Sequence, residues 1–504
     1  CREGLPDELL IAWFVMSAAA LVGLPLMRLL GGQIDQPIFA ELGGETKSIA
    51  FSAVVTAFKT SNDNQVPVAA LTALSGGYVI DLTTASTLSG AKFESLQQLA
   101  EMQCKVKVSA ATLRFIVQQF ISEEIPYDQV WPEVMTRLFA FNMVEIDLRG
   151  VDRSILSSAW QKVSSAHWKQ LRRANFSGCF DQDSKGAAGA EALLEALSSC
   201  KELQDVDLEN CSEIPAAAWQ KLHSGCWPKL QRAIFGGCFG RSSKGAAGAE
   251  ALLEALSSCK ELEDVNFHSC YEIPAAAWQK LHSGCWPKLR KAEFASCFDQ
   301  DSKGAAGAEA LLEALSSCKE LEDVNFHSCY EIPAAAWQKL HSGCWPKLRK
   351  AEFASCFDQD SKGAAGAEAL LEALSSCKEL EDVAFHSCLE IPGAAWQKLH
   401  SGCWPKLRKA NFAWCFGRSS KGAAGAEALL EALSSCKELE GVAFNDCSEI
   451  PAAAWQKLHR GCWPKMGRAL GVPEEVLEQL HGPTVSEGMK VMEGSASHRS
   501  LPKQ

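Results

Sequence analysis

The chain has no surplus of positive charge. Its 504 residues carry 49 Lys and Arg against 61 Asp and Glu, a formal net charge of -12. There is no global excess of cations to neutralise phosphates, and nucleic acid is not expected as a partner. Phosphate-binding and metal-catalysis motifs are also missing. No Gly-rich Walker loop, dinucleotide fingerprint or H-E-x-x-H motif occurs, and LGGETKS from Leu42 lacks the spacing that would cradle a phosphate. No acid, base and nucleophile set is assembled, so neither an enzyme nor a cofactor is expected.

Cysteine, by contrast, is plentiful. Twenty of the 22 cysteines fall between Cys179 and Cys462 at recurring positions. A thiol that returns at the same place in each repeat behaves as a small buried hydrophobe rather than half of a cystine, which points to a reducing, intracellular, cytoplasmic setting. The pairs His223 with Cys226, His282 with Cys285 and His268 with Cys270 recur as well. Zinc needs four convergent ligands, and pairs strung along a repeat array supply two per level, so no metal role is assigned. Strand-end thiols expected to be buried are poor nucleophiles.

The string KGAAGAE starts at Lys185, Lys244, Lys303, Lys362 and Lys421, a period of 59 residues. Residues 246–304 and 305–363 are identical throughout, so specialised contacts are expected elsewhere in the chain. Each period holds two shorter units with the pattern L-x-x-(A/V)-x-(F/L)-x-x-C. One series runs Leu171, Ala174, Phe176, Cys179 and recurs from Leu230, Leu289, Leu348 and Leu407. The other runs Leu203, Val206, Leu208, Cys211 and recurs from Leu262, Leu321, Leu380 and Leu439. After the first strand, Ala190, Leu193, Leu194 and Leu197 return at helical spacing among strong helix formers. After the second, Ile214 to Leu222 starts with Pro215 and places Trp219 and Leu222 on one face, predicting a helix of about three turns.

These units resemble leucine-rich repeats. The first is similar to the ribonuclease-inhibitor type through Gly189 to Leu197, the second to the cysteine-containing type through Cys200, Leu203, Val206, Leu208, Cys211 and Ile214. The resemblance implies an α/β solenoid, a horseshoe with a parallel concave sheet and convex helices, covering residues 143–470. It is preceded by a mainly helical amino-terminal region. Met143, Ile146, Leu148 and Val151 form an entry unit, and residues 471–504 read as a carboxyl-terminal cap and disordered tail.

Residues 1–30 contain Leu9–Met27, nineteen positions without a formal charge. A membrane span, a buried helix and a signal-peptide core all remain open for it. If it spans, the repeats face the cytosol; a membrane enters as a partner only through residues 9–27. Residues 31–142 are unassigned. The chain opens on Cys1 rather than Met, as a fragment or processed product would.

Residues between the apolar positions of each strand should face the concave surface. Arg172, Arg173, Arg290, Lys291, Arg349, Lys350, Arg408 and Lys409 then alternate with Asp205, Glu263, Asp264, Glu322, Asp323, Glu381 and Asp382 as a neutralising ladder. Further along lie Asn266, His268, Asn325, His327 and His386, then Asn411, Trp414, Asn445 and Asp446. The histidines form a column that raises a pH-sensitive interface. Trp414 replaces Gly or Ser and is the foremost contact candidate, against the alternative of a Trp folded onto its neighbour to fill space. These residues are the expected partner-binding set. The expected function is a protein-interaction scaffold or recognition module, with a membrane-tethered receptor-like or ubiquitin-ligase adaptor-like protein as the alternative.

Overall fold

A computed structural model describes residues 48–50, 79–83, 105–121, 134–149, 151, 157–163 and 168–481, less positions 183, 185, 241, 242, 300, 301, 359, 360 and 419. The apolar segment Leu9–Met27, most of residues 31–142 and the tail after 481 lie outside the described residues. Among the described residues no helix is long and apolar enough to cross a membrane. The chain divides into two compact units, residues 1–222 with 226–228, and residues 223–225 with 229–504.

In the first unit six parallel strands pair in chain order: β1 (Ser48–Ala50), β2 (Val79–Asp81), β3 (Lys105–Ser109), β4 (Asn142–Asp147), β5 (Arg173–Asn175) and β6 (Asp205–Asp207). The sheet therefore extends to the amino-terminal side of Met143, where the recurring pattern begins. A helix, Ala110–Ile121, follows β3 directly. The β3 sequence KVKVS alternates between half-buried and buried positions, as a strand with one face on a core must.

In the second unit nine parallel strands again follow chain order: β7 (Arg232–Ile234), β8 (Asp264–Asn266), β9 (Lys291–Glu293), β10 (Asp323–Asn325), β11 (Lys350–Glu352), β12 (Asp382–Ala384), β13 (Lys409–Asn411), β14 (Gly441–Ala443) and β15 (Arg468–Leu470). Each has three residues. The central Ala or Val is buried in β7 to β14 and half-buried in β15, and in β8 to β13 the first residue is left at least partly open to solvent. Repeated strand, turn and helix with all strands parallel make this an α/β solenoid of the leucine-rich-repeat kind.

Two kinds of connection alternate. After β9 a short 3-10 turn, Ala305–Gly307, leads into the helix Ala308–Ser316, whose Leu311, Leu312 and Leu315 are fully buried. After β10 the helix is shorter than the three turns expected, only Ala334–Trp337. Pro333 stands just before it with an extended backbone (ψ 155°), and a tight turn after Trp337 brings Leu340 back onto the core. The apolar pair Trp337 and Leu340 is buried as its spacing implied, but on a single helical turn.

Aromatic rings run through the core of this unit as a stack. Phe267, Phe294, Phe326, Phe353, Phe385, Phe412 and Phe444 follow one another with centroids 5.6 to 6.3 Å apart. Trp278 meets the edges of both Phe267 and Phe294, and Trp337 those of Phe326 and Phe353. Each buried Phe contributes about 1.5–3 kcal/mol. Cysteines tie the levels together: Cys297 Sγ lies 2.8 Å from Phe267 O, Cys329 Sγ 3.1 Å from Phe294 O and Cys356 Sγ 2.9 Å from Phe326 O. A second family of tryptophans closes the other edge, with Trp286 donating its indole N–H to Leu256 O at 2.9 Å, alongside the Cys259 N–H on the same carbonyl at the end of the helix Ala249–Ser257.

Candidate partner-binding face

Parallel register sorts the exposed strand residues of the second unit into two rows. Arg232, Asp264, Lys291, Asp323, Lys350, Asp382 and Lys409 occupy the first strand positions and sit side by side. The charges alternate in sign across this row. Just ahead of the strands, Arg290 pairs with Glu322 at 2.8 Å, Arg349 with Glu381 at 2.7 Å and Arg408 with Glu440 at 2.8 Å. Both sets are matched within the chain, so the charge ladder holds register and offers no net basic groove.

The second row holds Ile234, Asn266, Glu293, Asn325, Glu352, Ala384, Asn411 and Ala443. Asn266, Asn325 and Asn411 are at strand ends, as their place in the pattern required, and much of their hydrogen bonding is local. Asn325 Oδ1 accepts from the His327 backbone N–H at 2.8 Å, Asn266 Oδ1 from that of His268 at 2.9 Å, and Asn411 Oδ1 from that of Ala413 at 3.1 Å. They shape the turns that follow the strands. Sequence reading passed over Glu293 and Glu352, which share this row; their position between Ala and Phe in the strand pattern was the available signal.

His268, His327, His386, Trp414, Asn445 and Asp446 lie in the turns beyond the strands rather than in the strands themselves. His268 is half-buried, with Nδ1 3.0 Å from Asn266 Oδ1. His327 and His386 come together, their rings edge to face at 5.6 Å. Burial and the neighbouring His327 push the His386 imidazole down from its ordinary value. Asn445 and Asp446 are both exposed, and Asn445 O accepts the backbone N–H of Trp414 at 2.8 Å.

Trp414 is 51% exposed, the one large apolar side chain that stands open to solvent among the described residues. It therefore does not fold away to fill space. Its backbone is left-handed, φ +65°. The equivalent turn positions are left-handed too, and they carry Gly237 (φ 72°), Ser296 (φ 57°), Ser355 (φ 55°) and, in the alternate repeats, Asn210 and Asp446. A bulky residue strains that conformation, whereas Gly and Asn adopt it readily. Among the candidates, Trp414, Asn411, Asn445 and Asp446 cluster on the last strands, while His268 and Asn266 lie well apart at β8.

The His and Cys pairs do not form sites. His282 is exposed, with Nδ1 3.0 Å from Ser283 O, whereas Cys285 is buried and its thiol is pushed up to about 11 by desolvation. Cys270 is pushed up to about 12 for the same reason. Among the described residues no three His, Cys, Asp or Glu side chains converge as a metal ion would require.

No protein-family model and no curated protein matches this chain. A solved structure, that of the Rad7 and Elc1 complex in yeast, aligns with 81% of this chain and 88% of the matched chain, at 11% sequence identity and a TM-score of 0.34.

Proposed function

We propose that the protein is an interaction scaffold or recognition module that holds a protein partner on the open face of its second unit, at strands β11 to β15. The observation that carries this reading is Trp414. A half-exposed Trp in a left-handed turn satisfies no folding requirement that Gly or Ser fails to meet at the equivalent positions. Exposed aromatics of this kind anchor protein interfaces, where a few buried rings supply most of the binding energy. The repeats supporting the face rest on a closely packed core, so the partner meets a preformed surface and little ordering cost opposes association.

The test is affinity capture with the full chain, comparing wild type with the Trp414→Ala, Asn411→Ala double variant. Proteins recovered by wild type are expected to fall by at least tenfold with the variant, since a central aromatic anchor is worth roughly 2 kcal/mol or more. Equal recovery would move the partner surface away from the carboxyl-side strands. As an expectation for the rest of the array, the alternating repeats are read as ribonuclease-inhibitor-like and cysteine-containing types.

A further inference from the structure

Glu352 is a carboxylate whose internal partner has been removed by a single difference between repeats. Residues 246–304 and 305–363 are identical, so Glu293 and Glu352 occupy the same place in the same local sequence. In both, one oxygen accepts a turn N–H, that of Ala295 at 3.3 Å for Glu293 and that of Ala354 at 3.2 Å for Glu352. The second oxygens differ. Glu293 Oε2 accepts from Asn325 Nδ2 at 3.1 Å across the strand pair. Glu352 faces Ala384 where that Asn would stand, because the following repeat reads VAFHSC instead of VNFHSC. On its other side is Asn325, whose amide already serves Glu293.

Pairing of a carboxylate with an amide on a neighbouring strand is not confined to this row. In the first unit Asn175 Nδ2 donates to Asp207 Oδ2 at 3.1 Å. The row also lacks what the first strand positions have. Lys291, Lys350 and Lys409 alternate there with Asp264, Asp323 and Asp382, while Glu293 and Glu352 have no cation in their own row. The titratable and charged groups on the adjoining elements are these, of which Asp382 and Glu293 raise the Glu352 carboxyl. Asp323 and His327 come from β10 and its turn, Lys350 from β11, Asp382 and His386 from β12 and its turn, and Glu293 and Lys409 from further off.

We propose that Glu352 is a specificity-determining acceptor on the partner-binding face, taking an Arg or Lys side chain from a protein segment that rests an apolar side chain on Trp414. This rests on the reading of that face as an interaction surface. Trp414 follows β13, two strand spacings from β11 or about 10 Å, which is the reach of about three extended residues. A charged donor is favoured over a neutral amide because Glu352 is half-buried and its own row holds acidic groups and no cation, so a charge-assisted bond gains more there.

Protonation sets the direction of the pH dependence. Desolvation first, then the Asp382 and Glu293 charges, push the Glu352 carboxyl from 4.5 up to about 7. A cation binds the ionised form, so binding strengthens from pH 6 to pH 8 and is accompanied by proton release. Burial, then the neighbouring His327, push the His386 imidazole down from its ordinary value, which favours its neutral form.

The experiment uses the immobilised full chain and a synthetic heptapeptide library with a fixed central Leu and all other positions random. At pH 8 retained peptides are expected to be enriched in Arg or Lys at one position three residues or so from the Leu, by about tenfold over the library. The enrichment falls towards background at pH 5.5, in Glu352→Gln, and in Ala384→Asn, which restores the amide found at position 325 and so suits the fold. Retention of Leu-centred peptides survives in Ala384→Asn and is lost in Trp414→Ala. Peptides that depend on Trp414 yet show no cation preference, or prefer Asn or Gln, overturn the role of Glu352 and leave the interaction surface standing. No Trp414-dependent retention of any peptide overturns both.

Discussion

At the scale of single residues, two tryptophans of the same repeat differ in what they contribute. Trp404 is fully buried and donates its indole N–H to Leu374 O at 2.9 Å, so Trp404→Ala leaves a cavity and takes one donor from a carbonyl that keeps the Cys377 N–H, and should cost about 3–5 kcal/mol. Trp414 is half exposed and left-handed. Removing it forfeits some contact, but Trp414→Asn also relieves backbone strain of about 1–2 kcal/mol. The two effects offset, so the denaturation midpoint should move by less than about 1 kcal/mol equivalent, with an unchanged slope against denaturant. A loss near that of Trp404→Ala would show that the fold needs Trp414 and would remove the case for a binding role. Glu352 is the opposite case: it is costly to ionise in the free protein, and a group kept in that state is available to whatever supplies a cation.

Elements are where sequence and structure can be compared most directly. The strand centres and the long helices were legible because Leu, Ala or Val, and Phe return at fixed spacing, and the spacing alone decides which side chains face the core. Burial of the recurring cysteines, complete for all but the half-buried Cys447, followed from the same regularity. The short helix at Ala334–Trp337 was over-read, since Pro333 and the apolar pair do not report where the helix stops. β1 to β3 were missed because they carry neither the recurring Cys nor the repeated Leu and Phe positions that mark the later strands. The contrast between Glu293 and Glu352 could not be read from either residue. It appears only once register sets Asn325 beside one and Ala384 beside the other. The left-handed backbone at Trp414 was likewise hidden, although Gly, Ser, Asn and Asp at the equivalent positions are the residues such a turn favours.

The glycines of GAAG set how closely neighbouring elements approach. A Cβ at Gly307 would lie 2.7 Å from both Ala275 O and Trp278 Cβ, backbone and packed core that cannot yield cheaply. Gly307→Ala should therefore cost about 1–3 kcal/mol through overpacking, despite the entropy an Ala saves in the unfolded chain. Gly441 is the control: its nearest neighbour would be Arg468 O at 3.9 Å and its backbone is not left-handed, so Gly441→Ala should be neutral or slightly stabilising. Urea unfolding of the two variants checks this. Equal effects would mean that the close approach at Gly307 is not what holds the helix Ala308–Ser316 against its neighbour.

For the molecule as a whole, exact internal duplication makes an unusual deletion possible. Removing residues 305–363 joins Gly304 to Ala364, the same sequence as the native Gly304–Ala305 junction, and takes β10 and β11 from the nine strands of the second unit. Solenoid stability is close to a sum over repeats and nearest-neighbour interfaces, so the shortened chain should fold. The denaturant slope of that unit should drop by roughly a fifth, following the surface lost. Trp414-dependent peptide retention should persist because β12 to β15 are untouched. The cation preference should move to another residue: β9 would then adjoin β12, Glu293 would face Ala384, and the Asn325 amide would be gone. Glu293→Gln, silent for cation preference in the full chain, should abolish it in the deletion. If the preference survived that substitution, the cation would be read elsewhere on the face, and the register argument for Glu352 would fail with it.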